Sequence, residues 1–336
     1  MENKLKLLLK KELNESLFEK TKEEIEIFVI NTAKEFVELG RTLDKPKPLF
    51  GNLIKKGQLV VFFGDNGTNK STLMVQICDG ISKGVPQLGL ECSKGKVMLL
   101  DGEMATQPFA SRYSQSNFDD GFIRLELNFS AFLQSQVSMD KLIFEKLVIL
   151  VKRHQPDLLV IDNLTYLSSG SKEQSKEIID LLRSVFFITK MYNTAVVLIG
   201  HVPKLEPNKP LMKEHLSGSK VLSDLADVVI GISTSVKSKK LRYIKELKNR
   251  NNEIFFDKDN VLVCEVSDSE GYLHLNYLCT SAEKEHYIEK KDTEMTYESI
   301  LELKNEGLSN VKIAQKFGVN DKTIGNIIRR NSEKKL

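Results

Sequence analysis

The chain has 336 residues, of which 41% are apolar and 28% charged, and its formal net charge is +3. This length can bury one sizeable core with smaller appendages, and the longest apolar stretches are far too short to span a bilayer. The N-terminus interleaves lysine with leucine, without the uninterrupted apolar segment of a secretory signal. Four scattered cysteines without a CxxC pair predict reduced thiols in a cytoplasmic protein rather than a metal site.

The first 44 residues are predicted to form a small helical element. Leucines recur near one helical face, and Thr21 followed by Glu24 fits a capping box that begins a second helix. This second helix is expected to carry Ile25, Phe28, Thr32, Phe36 and Val37 and to end at Gly40. A role in packing or oligomerisation is favoured over a catalytic one.

Residues 49–280 alternate short apolar runs with amphipathic stretches, which predicts a mainly parallel α/β sheet. Strands alone dominate from Val228 to Leu278, which predicts antiparallel strands at one edge of the sheet. A stiff Lys-Pro-Lys-Pro segment, 45–48, precedes this domain, and a charged linker, 281–294, follows it. The predicted strands are Leu59–Phe63, Val97–Leu100, Phe122–Leu127, Leu158–Ile161 and Ala195–Ile199, and the predicted helices are Ser71–Ser82, Met139–His154 and Lys172–Met191.

A phosphate-binding loop is predicted where the strand ending at Phe63 meets the next helix. Such a loop wraps phosphates with successive backbone N–H groups, while Lys70 reaches the β- and γ-phosphates and Ser71 offers its hydroxyl to Mg²⁺. An ordinary polar turn is the alternative. The predicted nucleotide-binding residues here are Gly64, Asp65, Asn66, Gly67, Thr68, Asn69, Lys70, Ser71 and Thr72.

Asn69 departs from the usual pattern, which has glycine immediately before the lysine. Asparagine tolerates unusual backbone dihedral angles better than most residues, but its side chain needs room. The substitution therefore leaves nucleotide binding expected and brings the rate of turnover into question.

Two carboxylates follow predicted strands. Asp162 ends an apolar strand in the manner of a Walker B aspartate, which helps hold Mg²⁺ beside the loop. Glu103 comes just after another strand, where a carboxylate can accept a proton from the attacking water or align it. Each also fits a simpler interpretation, since acids are common at strand ends and in solvated turns.

These motifs, in this order, resemble the RecA-like superfamily, and within it the hexameric helicases of the DnaB and plasmid RepA type. The sequence Asp-Gly-Glu-Met at 101–104 carries much of the resemblance, which spans about Leu49 to Leu278. It implies a RecA-like mainly parallel sheet flanked by helices with antiparallel edge strands, to which the small all-α elements at the two ends are added. It further implies ATP and Mg²⁺ as cofactors and a homo-oligomer such as a hexamer.

The resemblance also assigns roles. Glu103 matches the catalytic glutamate, and His201 matches the residue that senses the γ-phosphate, although an isolated histidine is more often structural. Arg250 matches an arginine finger that reaches the neighbouring subunit's nucleotide, with Lys248 beside it. Because residues 236–250 include seven basic side chains and one acidic, an exposed basic strand that contacts nucleic acid or water is the alternative.

Nucleic acid is the expected partner. In the resembled family, loops after the Walker B and sensor strands line a channel for single-stranded DNA, and here these loops cover about 165–172 and 202–220. The second loop has four lysines against two glutamates, which suits phosphate contacts and is also ordinary for a surface loop. Its length without predicted structure favours a function.

The C-terminal part, 295–336, is predicted to be a separate helical module. Helices are expected over Tyr297–Glu306, over Asn310–Phe317 with Ser309 as its cap, and through Arg330 with Asn320 or Asp321 as the cap. The spacing resembles a helix-turn-helix of the resolvase or sigma-factor type, which binds duplex DNA, whereas protein docking is the alternative. The expected DNA contacts are Lys322, Thr323, Asn326, Arg329 and Arg330.

The leading hypothesis is an ATP-hydrolysing, helicase-like DNA-handling protein that acts in replication or mobilisation of DNA. The rival hypotheses are a nucleotide-regulated DNA-binding regulator and an assembly scaffold, each with slow or no hydrolysis.

Overall fold

The computed structural model describes residues 28–133, 139–162, 184–202, 209–216, 220–288, 297–317 and 319–332. The chain divides into two compact units, 1–46 and 47–336. No helix among these residues is both long enough and apolar enough to cross a bilayer.

The described part of the first unit contains one helix, Ala33–Thr42. Thr32 is its N-cap, and a capping box joins it to Glu35: the Glu35 N–H donates to Thr32 Oγ1 at 3.2 Å, and the Thr32 N–H donates to Glu35 Oε2 at 2.7 Å. The predicted second helix is therefore wrong at both ends, because Thr32 caps the helix and Gly40 lies inside it, whereas Phe36 and Val37 are helical as predicted. The capping box predicted at residues 21–24 lies outside the described residues.

The second unit is organised by a nine-stranded sheet in the order β11-β10-β9-β8-β3-β7-β6-β4-β5, beside which β1 and β2 form a separate pair. The strands are β1 Pro48–Phe50, β2 Ile54–Lys55, β3 Leu59–Gly64, β4 Val97–Asp101, β5 Phe122–Glu126, β6 Leu158–Asp162, β7 Ala195–His201, β8 Val228–Thr234, β9 Leu241–Asn249, β10 Val261–Ser267 and β11 His274–Ser281.

Strands β5, β4, β6, β7, β3 and β8 run parallel to one another, whereas the pairs β8–β9, β9–β10 and β10–β11 are antiparallel. Every residue of β3, β4 and β6 is buried, as expected for parallel strands covered on both faces. The predicted strands and the predicted α/β fold class are confirmed.

Helices cover both faces of the sheet. Their bounds are Lys70–Lys83, Thr106–Arg112, Phe129–Leu133, Met139–His154, 184–192 and Lys220–Leu225. Alternate residues of each central strand face opposite cores: Val60 packs with Leu73 of the Lys70–Lys83 helix, and Val61 packs in the core that contains Leu147 and Ile188. The helix predicted over Lys172–Met191 is described only from residue 184.

The predicted linker at 281–294 is corrected in its first part. Residues 281–288 complete β11 and form a 3₁₀-helix, Glu283–Glu285, against the sheet. Glu283 is buried, accepts the Leu211 N–H at 2.7 Å and is paired with Lys245. Charge made this segment resemble a linker, but the Glu283 carboxylate is hydrogen-bonded inside the fold.

The loop predicted over 202–220 also contains local structure. A 3₁₀-helix covers Lys213–Leu216, and Leu211 and Leu216 are buried in the core. Residues 203–208 and 217–219 of this loop, which include Lys204 and Glu206, and the whole predicted loop 165–172 lie outside the described residues.

The C-terminal part forms three helices, Tyr297–Asn305, Asn310–Phe317 and Asp321–Ser332, around a small core of their own. Gly307 turns the chain with a φ of +84°, which favours glycine. The predicted caps are confirmed, because the hydroxyl of Ser309 accepts from the Lys312 N–H, and both Asn320 and Asp321 accept from the N–H of the second residue of the last helix.

Candidate functional site

The turn between β3 and the Lys70–Lys83 helix has the close contacts of a phosphate-binding loop. Gly64 cannot carry a side chain, because an added Cβ would lie 2.5 Å from the backbone oxygen of Ile232. Lys70 is 4% exposed, and its Nζ donates to the backbone oxygens of Gly64 at 2.9 Å and Asp65 at 2.8 Å. Burial lowers the pKa of Lys70, against the opposite effect of nearby carboxylates. The ammonium is thus held at a helix N-terminus, where anions are stabilised.

Asn69 adopts the conformation that the usual glycine would provide. Its φ of 68° and ψ of 29° lie in the left-handed region, which costs an ordinary L-residue on the order of 1 kcal/mol and asparagine less. Its side chain makes no capping bond to the helix, and its Oδ1 accepts from Nη2 of Arg242 at 2.8 Å. The departure from glycine therefore leaves the loop conformation in place.

The remaining predicted loop residues differ in exposure. Thr68 and Thr72 are buried, whereas Asn66 and Gly67 are exposed. The hydroxyl of Thr68 donates to the backbone oxygen of Asp65 at 2.7 Å and so closes the turn.

Asp162 lies beside the loop, in register with Asp101 on the neighbouring strand. It is 4% exposed and hydrogen-bonded to Ser71, and its Oδ1 has no hydrogen-bond partner among the described residues. Burial, and to a smaller extent the negative charges of Glu103 and Asp101, raise the pKa of Asp162 to about 6.

A cation fits this position. The unpartnered buried oxygen of Asp162 is an acceptor without a donor, and hard divalent cations prefer oxygen ligands such as this oxygen and the hydroxyl of Ser71. One ligand atom each from Glu103, Asp162 and His201 also lie within 4.8 Å of one another.

A hydrogen-bonded row joins the loop to the predicted catalytic glutamate. Nδ1 of His201 lies 2.8 Å from Oδ1 of Asn66, and Nε2 lies 3.1 Å from Oε1 of Glu103. His201 ends β7, which neighbours β3 and β6, and therefore bridges between the loop and the carboxylates. The structure brings together Lys70, Ser71, Asp162, Glu103 and His201, as the sequence predicts.

Asp101 and Arg124 were missed by reasoning from sequence. Oδ1 of Asp101 accepts the N–H groups of Glu103 at 3.2 Å and Met104 at 2.9 Å, which fixes the turn that projects Glu103. Its Oδ2 accepts from Nε and Nη2 of Arg124 at 3.1 and 2.9 Å. The position of Asp101 two residues before Glu103 could have indicated this turn from the sequence. No sequence pattern near Asp101 indicated Arg124, which is 23 residues away.

Within the part of the chain that the structure describes, Lys248 and Arg250 make none of the loop contacts given above. Nζ of Lys248 donates to the backbone oxygens of Ser223 at 2.7 Å and Asp224 at 3.0 Å, and Arg250 also donates to the oxygen of Asp224. Both cations thus cap the C-terminal end of the Lys220–Leu225 helix, and Arg250 is exposed.

A cavity of about 330 Å³ lies along the Lys70–Lys83 helix and begins at Thr72, two residues after Lys70. Its lining includes the rings of Tyr113, Phe118, Tyr272 and His274. This volume is within the range of small-molecule sites.

The predicted DNA-contacting residues lie on the last C-terminal helix. Lys322, Asn326, Arg329 and Arg330 are exposed, and Thr323 is partly buried. The four cysteines are free thiols, as predicted, and three of them are buried.

The sheet topology, the loop before the Lys70–Lys83 helix and the carboxylates beside it define a RecA-like P-loop ATPase. A sequence profile described as an AAA domain matches residues 31–207, more than half of the chain. The protein belongs to this AAA domain family.

The chain is also similar to curated bacterial proteins named DNA repair protein RadA. Identity is 26% over 229 residues with the protein of Streptococcus pneumoniae, which covers 67% of this chain and 45% of that protein. It is 25% over 206 residues with that of Aquifex aeolicus and 25% over 209 residues with that of Campylobacter jejuni, each covering 60% of this chain and 39% of the relative. The chain thus spans less than half the length of these relatives.

Proposed function

We propose that this protein binds and hydrolyses ATP with Mg²⁺ and handles DNA, as a helicase-like motor in replication or mobilisation of DNA. The observation that carries the ATPase part is the joint placement of Lys70, Asp162 and the Glu103–His201 pair at the carboxyl edge of adjacent parallel strands. In open α/β sheets, ligands bind at this edge.

The roles follow from the contacts. Lys70 exchanges its bonds to the loop oxygens for phosphate oxygens, and the loop N–H groups surround the β-phosphate. Ser71 and Asp162 would hold Mg²⁺, which neutralises charge on the β- and γ-phosphate oxygens when bound. Glu103 aligns the attacking water and accepts its proton. His201 links Glu103 to Asn66 of the loop, so a change at the γ-phosphate position reaches the glutamate through one side chain.

The adenine base has room in the cavity that starts at Thr72. The ring of Tyr272, which is partly exposed, offers a stacking surface, and His274 offers a polar ring edge. The cavity lies along the same helix that holds the phosphates, so one nucleotide could reach both regions.

Contact with DNA has independent support. Relatives of this chain are named DNA repair proteins, and from residue 309 onward the sequence has seven basic residues against two acidic. In this proposal the exposed cations of the last helix contact the phosphates of duplex DNA, and the ATPase domain engages a single strand. Subunits assemble so that Arg250 and Lys248 reach a neighbour's nucleotide.

Asn69 favours a second candidate, a nucleotide-regulated DNA-binding protein or scaffold with slow or no hydrolysis. The side chain of Asn69 and the bond between Glu103 and His201 are compatible with binding that does not lead to rapid turnover. The two candidates differ in whether DNA accelerates hydrolysis.

The test measures ATP turnover of the full chain with and without single-stranded DNA, in wild type and Glu103→Gln. For the motor, DNA stimulates turnover, and Glu103→Gln lowers it by roughly 10²- to 10⁴-fold, with nucleotide affinity kept within about threefold. Glu91→Gln is the matched control, since Glu91 is also an exposed acid outside the loop.

Equal turnover in Glu103→Gln and wild type would reject Glu103 as the base. If the protein binds nucleotide tightly and its ATP turnover is the same with and without DNA, the motor hypothesis is rejected in favour of the regulator hypothesis. Absence of binding at millimolar Mg-ATP would reject both.

A further inference from the structure

We propose that Arg242 is a positioning residue for the phosphate-binding loop, which it stabilises by holding the side chain of Asn69. The inference rests on the proposed nucleotide-binding function, because it explains how a loop with asparagine in place of glycine keeps its shape. Arg242 is about 170 residues away in sequence and belongs to none of the motifs described for the loop.

The sheet topology brings Arg242 to the loop. Strand β8 runs parallel to β3, so the carboxyl end of β8 lies at the same edge as the loop. Strand β9 returns antiparallel from that edge, and its second residue, Arg242, pairs with Thr234 at the end of β8. The side chain therefore starts at the edge where the loop begins.

The guanidinium makes contacts on two sides. Nη2 donates to Oδ1 of Asn69 at 2.8 Å and to the backbone oxygen of Gly67 at 3.2 Å. Nη1 donates to the backbone oxygens of Lys239 at 2.7 Å and Leu241 at 3.0 Å. The hairpin thus fixes one half of the group, and the other half grips the loop at two positions that flank Thr68.

Burying the Arg242 guanidinium costs free energy, which its hydrogen bonds must offset. Arg242 is 7% exposed, forms no ion pair with a carboxylate among the described residues, and its Nε has no hydrogen-bond partner there. A buried cation is tolerated when polar groups satisfy it, and here these are backbone oxygens and the amide of Asn69. The planar fork of arginine suits such divergent acceptors, whereas a lysine ammonium does not.

The left-handed conformation of Asn69 explains the effect of its contact with Arg242. Glycine reaches a φ of 68° without steric cost, but asparagine loses that freedom and gains a side chain that can be held. Arg242 holds that side chain, and its second bond to Gly67 fixes the turn on the other side. The pair Asn69–Arg242 therefore replaces the usual glycine.

The experiment is a double-mutant cycle on Mg-ATP affinity in the full chain, with wild type, Arg242→Ala, Asn69→Gly and the double variant. Arg242→Ala is expected to weaken binding at least tenfold in the Asn69 background and less than threefold in the Asn69→Gly background. Arg242→Lys, which keeps the charge, is expected to behave like Arg242→Ala. Lys240→Ala removes a nearby exposed cation and is the matched control.

Melting temperatures without nucleotide are measured for every variant to detect unfolding. If Arg242→Ala unfolds, Arg242→Lys, which retains the apolar stem, replaces it in the cycle. A general loss of structure would not be rescued by Asn69→Gly, so rescue distinguishes positioning from folding. Equal losses in both backgrounds, or full affinity in Arg242→Ala and Arg242→Lys, would overturn the inference and leave the proposed function standing. Failure of the wild type itself to bind Mg-ATP would instead overturn the proposed function.

Discussion

The carboxyl edge of the sheet and the C-terminal three-helix unit both carry cations to which we assign functions, but the two regions assemble these cations in opposite ways. At the edge, Lys70 and Arg242 come from distant segments and are buried among hydrogen-bond acceptors. In the C-terminal unit, Lys322, Arg329 and Arg330 come from a single helix and are exposed.

The two regions should therefore differ in whether the effects of several substitutions are additive. Side chains that share a buried network affect one another, so single substitutions there have large, non-additive effects. Exposed cations on one helix act mainly through charge, so their effects on DNA affinity should be small and nearly additive.

Arg250 tests this contrast most severely, because it is exposed and yet its substitution is expected to lower ATP turnover more than any other change in this section. If it acts as an arginine finger on a neighbour's nucleotide, Arg250→Ala should lower ATP turnover by roughly 10³-fold. Mixing Arg250→Ala subunits with Lys70→Ala subunits should restore part of the activity, because some interfaces then combine an intact arginine with an intact loop. Lys258→Ala, another exposed cation, is the control; no recovery at any mixing ratio would contradict action across subunits.

Lys70→Ala tests the buried side of the contrast. The loss of charge-assisted hydrogen bonds to phosphate, about 1.5–3 kcal/mol, should weaken Mg-ATP binding by roughly 10- to 100-fold in titration calorimetry. Lys83→Ala, at the far end of the same helix and paired with Asp79, should bind as wild type does. Unchanged affinity in Lys70→Ala would place the phosphates elsewhere.

The exposed cations of the last helix should act in small, separate steps. Alanine at Lys322, Arg329 or Arg330 should each weaken binding of duplex DNA and lower the slope of log affinity against log salt by about 1. Fluorescence anisotropy at several salt concentrations measures both quantities, with Lys304→Ala on the first C-terminal helix as control. A strongly non-additive triple variant would show that this surface resembles the buried edge more than we expect.

His286 lies between the two regions in sequence, in the segment 281–294 that was predicted to be a linker because of its charge. It is buried between the hydroxyls of Ser235 and Ser281, and burial, with a smaller effect of Lys237, lowers its pKa despite Glu285. The unfolded chain therefore takes up a proton near pH 6.5, before the folded protein does.

Stability from neutral His286 is consequently full above about pH 6.5 and declines as the pH falls through the lower folded pKa, by at most about 1.4 kcal/mol per pH unit. Melting temperatures from pH 7.5 to 5.5 should fall less steeply in His286→Gln than in wild type. Identical slopes would assign the acid sensitivity to other groups.

Much of the molecule could be predicted because its signals are local. Buried parallel strands consist of short apolar runs, and the turn from Gly64 to Ser71 has the spacing of a phosphate loop, so both were found from sequence. The C-terminal helices and their caps were equally accessible, since caps and glycine turns act within a few residues. The helix expected across Phe28 and Thr32 was placed wrongly because Thr32 forms its own capping box with Glu35.

The sequence by itself determined where strands and helices lie along the chain, the phosphate loop and the acids at strand ends, because each depends on neighbouring residues. Only the tertiary structure decided that Arg242 holds Asn69, that Arg124 holds Asp101, and that the segment containing Glu283 packs on the sheet. These contacts join residues up to 173 positions apart, and strand order, which local patterns do not contain, brings them together.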